Sequence, residues 1–577
     1  MRKVFKHIAM VFTAGILFTG CETTELDLRV SPNDLAADQA DPNLLLNSMQ
    51  LAFADNQRFL SDEAADLTRI DYFGGAQARN YFNNTPGDEL NFVWSLTYSN
   101  AGAIVGDLET IPVGILTNLQ AIEEINANSD IDYSFHIGVG KTLYAYMLFQ
   151  LVDFIGEAAF SQAGNAAEFP APILDSGEEV YAGAFGLLDE AEALLAAGPA
   201  AQGAQDLYYG GDASKWVRLI NSIRLRSYKN TGNTAAFNAV VAGNNFISAA
   251  DGSDDFQLSY GTSELQPDDR HPDYANDYTP SGANIWQSNY LMDLMLQNDD
   301  PRIRYYFYRQ TGATPGALDV NGNPVDPNEE TLACSLVVPP PHYDGFVYCS
   351  VDNGYWGRSH GNDEGAPPDN FFRTAVGVYP AGGKFDDDDF AVDEDDPNFD
   401  PTVGLGKGGG GAGIEPIILA SYVDFWRGEM AGNDADRATF LRAGLEKSIA
   451  KVQSFGALDA SADTSFAPSP DDVTAYIDGM VADFNAATGD DKENIYAEQY
   501  FTTLYGGATE AYNYYRKTGY PTTVYPNWEP DPGPFPRTYL IPQNEVLNNP
   551  NLTQRTDLTT QVFWDTNPAS PAFPPAN

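Results

Sequence analysis

The sequence predicts a mainly α-helical protein with long irregular loops and a few short strands. Apolar residues recur at the helical spacing i, i+3, i+4, i+7 in one segment after another. Short turns bearing Gly or Pro part these segments. Between residues 309 and 413 the helical pattern stops, and that stretch holds many of the 37 prolines and 52 glycines. A loop region this long inside a folded domain is usually functional or ordered by partners. Binding is therefore expected there.

Taken in order, Asn43 to Phe59 has Leu44, Leu45, Met49 and Phe53 on one helical face. Leu67 to Phe82 is an aromatic-rich turn containing Gly74-Gly75. Helices follow over Asp88–Leu108, Ile115–Ile125, Ser134–Phe154 and Glu178–Ala197, the last rich in Ala and Leu. In the stretch Gly211–Tyr228, Asp212 is placed to cap a helix whose stripe is Trp216, Leu219, Ile220 and Ile223. Arg218, Asn221, Arg224 and Arg226 lie on or beside that stripe and read as staples to adjacent helices. Ile285–Phe307 reads as a helix interrupted by Asp300-Pro301. After the loop region Ile417, Leu419, Tyr422, Phe425 and Trp426 form an apolar face. Helices then follow over Arg437–Phe455 and Asp471–Phe484, and two more within Asn494–Tyr520, broken at Gly506-Gly507.

The N-terminus reads as an export signal over residues 1–20. Arg2, Lys3 and Lys6 precede an apolar run from Ile8 to Phe18, too short to span a bilayer. Phe18-Thr19-Gly20-Cys21 resembles a lipoprotein cleavage site, which makes Cys21 the expected lipidated residue. Residues 21–41 form a polar tether, and 42–577 a single helical domain carrying the insertion at 309–413. Acids outnumber Lys plus Arg 81 to 31, for a net charge of −50. Such a field repels nucleic acid and anionic lipid, and neither is expected as a partner. Cys334 and Cys349 are the other cysteines, an even pair that in an exported chain invites a disulfide. The residues between them read as two short strands joined by a proline-rich turn.

The motif Asp212-x-x-x-Trp216 followed by Asn221-x-x-Arg224-x-Arg226 resembles the central signature of the SusD/RagB family, in its SusD-like branch. Asp300-Pro301-Arg302 with Tyr305-Tyr306 is similar to the family as well. So are the Glu498-Gln499-Tyr500 helix with its Gly turn, and Arg537 to Pro542 with Glu545 and Asn548-Asn549. The resemblance implies a tetratricopeptide-like helical-repeat scaffold, since no strict repeat consensus is visible in the chain itself. It also implies a lipoprotein of the outer membrane, held there by lipid on Cys21 and facing outward. Such a protein captures oligosaccharide or peptide for a TonB-dependent (SusC-like) transporter, without a cofactor.

Catalytic motifs are absent: there is no His-Glu-x-x-His and no Gly-x-Ser-x-Gly. A glycosidase needs only two carboxylates, and nothing singles out a pair among so many. A lipid-anchored polysaccharide hydrolase and a non-nutrient adhesion protein are the alternatives to be tested. Asp319, Asn321, Asn323 and Glu330 have calcium-loop spacing, but Pro324 stands where the loop wants Gly, so a polar turn is expected and no metal. The run Asp386–Asp389 reads as a solvated acidic loop, and the glycines around Lys407 as flexible loop without a phosphate cradle.

Loop aromatics carry the binding expectation. A sugar ring offers an apolar C–H face to an aromatic, while planar polar groups satisfy its hydroxyls. Tyr81 and Phe82 with Asn83, and Tyr355 and Trp356 with Asn353 and Arg358, combine both features. Flanking glycines suggest that the faces of Trp356 are open, which makes it the first expected contact.

Overall fold

The computed structural model describes residues 40–74, 87–98, 114–198, 203–265, 267–312, 338–348, 350–362, 373–390 and 406–568. Cys21, Tyr81, Phe82, Asn83, Cys334, Cys349 and the segment 319–330 lie outside them. The chain divides into two units, residues 1–41 and 42–577, and the second carries the described helices and strands.

Seven helices come first: α1 (Pro42–Thr68), α2 (Asn91–Tyr98), α3 (Ile115–Asn128), α4 (Ser134–Ile155), α5 (Gly177–Ala196), α6 (Ala213–Asn230) and α7 (Thr234–Gly243). Three short ones border the loops: α8 (Pro272–Asp277), α9 (Asn289–Gln297) and α10 (Ile303–Tyr306). The C-terminal part holds α11 (Ala420–Glu429), α12 (Asp434–Ser454), α13 (Pro470–Ala486), α14 (Asp490–Thr503), α15 (Thr509–Thr518) and α16 (Gln543–Asn548). The mainly helical class expected from the sequence is the class found.

Several helices have a local reason to start or stop. Asp212 accepts hydrogen bonds from the Ser214 and Lys215 amides and caps α6 as expected. Ser176 and Glu179 close a capping box on α5. Gly156 stops α4 in the left-handed conformation. Helix α4 is buried almost all round, and α5 packs along it while α12 packs on α11.

Of the staples expected on α6, Arg224 pairs with Asp189 and Glu192 of α5, and Arg226 is the hub of a buried ionic network. Arg226 donates to Asp153 of α4 at 2.7 Å and to Glu510 of α15 at 2.6 Å, and Lys229 donates to Glu510 at 2.7 Å. Asp153 also accepts from Trp564 Nε1, Asn513 and the Tyr181 hydroxyl. Every carboxylate oxygen in the network is thus charge-balanced or hydrogen-bonded, as burial demands.

Among the described residues strands are few and short, and all four pairs are antiparallel: β1 (Glu157–Ala158) with β2 (Asp175–Ser176), β3 (Phe256–Ser259) with β8 (Ile414–Ile418), β4 (Phe307–Tyr308) with β7 (Ala375–Val376), and β5 (Ser350–Val351) with β6 (Tyr355–Trp356).

Several local readings are corrected. Within Ile285–Phe307 the first helix ends at the Asn298 cap and a second follows Asp300-Pro301 as expected, but 285–288 is not helical: α9 begins only after the Ser288 cap, and Phe307 enters β4. The expected proline-rich turn is a 3-10 turn, Pro341–Tyr343, but 344–348 after it is not a strand. The run Asp386–Asp389 is anchored to the core at its first residue. Asp386 is buried and bidentate to Arg309, and Asp388 pairs with Arg304 and Arg309, so two distant guanidiniums fold the run inward. The glycines after Lys407 pack on residues 377–384, with Gly409 and Gly411 donating to the Gly383 and Gly382 carbonyls.

Candidate functional site

Four parts of the scaffold send their ends to one loop cluster. Helix α1 ends at Thr68, and the chain runs on to Tyr72 and Phe73. The extended stretch before α9 brings Trp286. The β5–β6 hairpin leads into residues 357–362, and the segment after α15 brings Tyr525 and Trp528.

Backbone hydrogen bonds lock these parts together. Arg358 donates to the Gln287 carbonyl at 2.9 Å, and Asn289 donates back to the Arg358 carbonyl at 3.1 Å. Gly361 donates to the Phe73 carbonyl, Trp528 to that of His360, both at 2.8 Å. The Tyr72 hydroxyl donates to the Asn362 carbonyl at 2.6 Å, and Ser288 Oγ to that of Arg69 at 2.6 Å. Ser359 Oγ lies within bonding distance of the Val347 and Tyr348 carbonyls, and His342 Nε2 donates to the Asn527 carbonyl at 2.9 Å.

The side chains in this frame are aromatic and cationic. The guanidiniums of Arg358 and Arg373 lie 4.3 Å and 3.7 Å from the Trp286 ring centroid, and Tyr72 meets the indole edge at 6.3 Å. Phe73 packs on His360 at 5.4 Å. Beyond it, Tyr348 and Tyr343 close on Trp528 at 5.7 and 5.2 Å, and Phe346 packs on Tyr525 at 5.0 Å. Tyr72, Phe73, Trp286 and Tyr348 are half-buried and Phe346 is 36% exposed, so this surface offers rings to solvent. Burial, reinforced by the Arg69 charge, pushes the His360 imidazole well below its ordinary value and keeps it neutral.

The expected contacts fare differently. Asn353 is exposed, at the tip of the hairpin, but its carbonyl is held by Arg309 at 2.8 Å. Tyr355, Trp356 and Arg358 are only 3%, 1% and 2% exposed, so the expectation of open faces on Trp356 is corrected. The reason is the Asn353-Gly354 turn, whose residues both take positive φ, 68° and 87°, and which folds Tyr355-Trp356 back as a strand. A Cβ on Gly354 would run into the Thr311 carbonyl. Trp356 then exchanges hydrogen bonds with Thr374, its amide donating to Oγ1 and its carbonyl accepting from the Thr374 amide. Arg358 does reach the aromatic surface, through Trp286. Sequence reasoning misses Trp286 because the apolar pattern places it inside a helix, although Ser288 two residues later is a good N-cap.

Among the described residues no group of three or more His, Cys, Asp or Glu is arranged to hold a metal ion. Nor is any described helix long and apolar enough to cross a membrane.

The model of a SusD-like family, described as starch-binding and associating with the outer membrane, matches residues 37–333. The chain belongs to that family. Solved SusD-like structures share the fold across nearly all of it. A chitin-binding SusD homologue from Flavobacterium johnsoniae has a TM-score of 0.56 at 17% identity, covering 91% of this chain and 99% of its own. Another chitin-binding protein has a TM-score of 0.57 at 20% identity, covering 91% and 100%. A SusD homologue from Bacteroides fragilis has 0.53 at 18%, covering 89% and 94%. No curated protein matches the sequence.

Proposed function

We propose that this protein is a lipid-anchored, outward-facing binding protein that captures oligosaccharide and passes it to a TonB-dependent transporter, with peptide as the other cargo to test. One observation carries the reading: part-exposed aromatics from distant parts of the chain converge on one loop surface, braced by the buried guanidiniums of Arg358 and Arg373. Rigid elements carrying recognition on loops are the usual arrangement for a binding protein. The family description and the chitin-binding relatives support glycan as the ligand class. Tyr81, Phe82, Asn83 and Asn353 are proposed as further ligand contacts. Tyr355 and Trp356 act from beneath, as support. A Cys334–Cys349 bridge would close the chain around residues 338–348 into a loop at the start of the β5–β6 hairpin. No step of capture needs a cofactor or covalent chemistry.

The test is retention on insoluble chitin and starch by affinity electrophoresis, with Tyr348→Ala and Trp286→Ala as variants. Loss of a central aromatic contact weakens binding by about tenfold or more. Wild-type protein that ignores both polymers and all soluble glycans, yet binds peptide, would move the reading to peptide capture.

A further inference from the structure

A pocket away from the loop surface has the makings of a second binding site. Its floor is α2: Trp94 and Tyr98, one turn apart, have ring centroids 4.7 Å apart. One wall is Ala159, Ala163, Gly164, Pro172 and Leu174 from the β1–β2 connection; the other is Glu545, Asn549 and Leu552 at and beyond α16. None of these residues belongs to the loop cluster.

The walls are fixed in advance. The Tyr98 hydroxyl donates to the Ala159 carbonyl at 2.7 Å. Asn549 donates to the Pro172 carbonyl at 2.7 Å, and Asn551 to that of Ala171 at 2.6 Å, tying the two walls together. Gln120 holds the Gly164 carbonyl at 3.2 Å. A site of this kind loses little ordering entropy when it fills.

Size and chemistry then narrow the occupant. The cavity measures about 120 Å³. An engineered apolar cavity of about 150 Å³ admits benzene, so this smaller one can seat no more than a single ring, and that ring only in part. A purely apolar ring would strand Glu545. Its half-buried carboxylate has no hydrogen bond or ion pair among the described residues, and burial alone pushes its carboxyl above the ordinary value. A pyranose has an apolar face for the aromatic floor and hydroxyl donors at its rim for a carboxylate.

We propose that the Trp94–Tyr98–Glu545 pocket binds one pyranose ring, its apolar face set against the half-buried Tyr98 phenol over the largely buried Trp94 indole, and donating a hydroxyl hydrogen to Glu545. The inference rests on the glycan-binding reading above and adds a site distinct from the loop surface. Such a pocket would hold a terminal or branch sugar while the loops hold the body of the chain.

The two sites are read by separate measurements. Polymer retention reports the loop surface; titration of the full-length protein with D-glucose or N-acetyl-D-glucosamine, followed by saturation-transfer NMR, reports the pocket. Wild type should bind at least one of these sugars at millimolar concentration. Leu552→Trp, which fills the cavity, should abolish that binding, and Glu545→Gln should weaken it about tenfold, the weight of one charge-assisted hydrogen bond. Ala163→Leu is the second filling variant should Leu552→Trp not fold. Undiminished monosaccharide binding in a folded filling variant overturns the proposal. So does a wild type that retains polymer but binds neither monosaccharide, a result that leaves the loop reading standing. The converse, monosaccharide bound and polymer ignored, keeps the pocket and sinks the loop reading.

Discussion

Trp356 sits two residues after an Asn-Gly pair, and that spacing decides its role. A tight turn at Asn353-Gly354 makes Tyr355 and Trp356 the return strand of a hairpin, and the indole goes into the core. Trp356→Ala is therefore expected to cost roughly 3–5 kcal/mol of stability by leaving a cavity. Equilibrium denaturation checks it, and an unchanged midpoint would mean the indole is not core. Glu415 is a second residue whose surroundings set its behaviour. It lies on β8, 3% exposed, among Asp62, Arg58, Asp273 and Asp55, and burial followed by the Asp62 charge holds its carboxyl well above the usual carboxylate range. The folded state thus keeps a proton that the unfolded chain, with an ordinary value of about 4.3, gives up. Stability from this residue is complete below that pH and is lost as pH rises through the folded value. Glu415→Gln should accordingly leave the melting temperature unchanged near pH 4 and raise it at pH 8. A variant less stable than wild type at pH 8 would show that the carboxylate is satisfied when charged.

At the scale of elements, α6 joins the two helical parts of the chain through one buried set of charges. Arg226 stands between Asp153 and Glu510, with all three side chains at most 3% exposed. Arg226→Met leaves those carboxylates one cation short in the interior, which costs about 3–5 kcal/mol. Arg442→Met breaks an exposed pair with Asp478 and should stay within about 1 kcal/mol. Equal losses in urea denaturation would place the α6 network outside the folding core. The elements also show which features are legible in the sequence. The Asp212 cap, the Trp216 stripe and the paired helices are local patterns, and local patterns survive into the fold. Arg226 can be read as a staple, but its partners Asp153 and Glu510 are far away in sequence, and no local rule names them. The same holds for Asp386, folded inward by Arg309 across 77 positions. Trp286 and the pocket floor at Trp94 are hidden for a related reason. Each reads as a stripe residue of a helix; Trp286 comes to a surface only through the loop opposite, and Trp94, buried as its stripe implies, borders a pocket only through the wall opposite.

At the scale of the molecule, the proposed attachment to the membrane hangs on one residue near the N-terminus. None of the described helices is a membrane span, so they contribute no anchor of that kind. Charge works against adhesion: at −50 the chain is repelled by anionic headgroups, and the polybasic help that many lipidated proteins use is missing. In the proposed arrangement acyl chains do the holding, at about 0.8 kcal/mol per buried methylene, and stable attachment takes more than one chain. Acylation of Cys21, as proposed, supplies that attachment. Cys21→Ala should move the protein from the membrane fraction to the soluble one, with its melting temperature unchanged, because Cys21 lies outside the unit 42–577. Fractionation before and after a high-salt wash tests this. Release only by salt would point to a charge-mediated contact with a partner protein. Retention through the wash would mean that an anchor other than Cys21 holds the chain to the membrane.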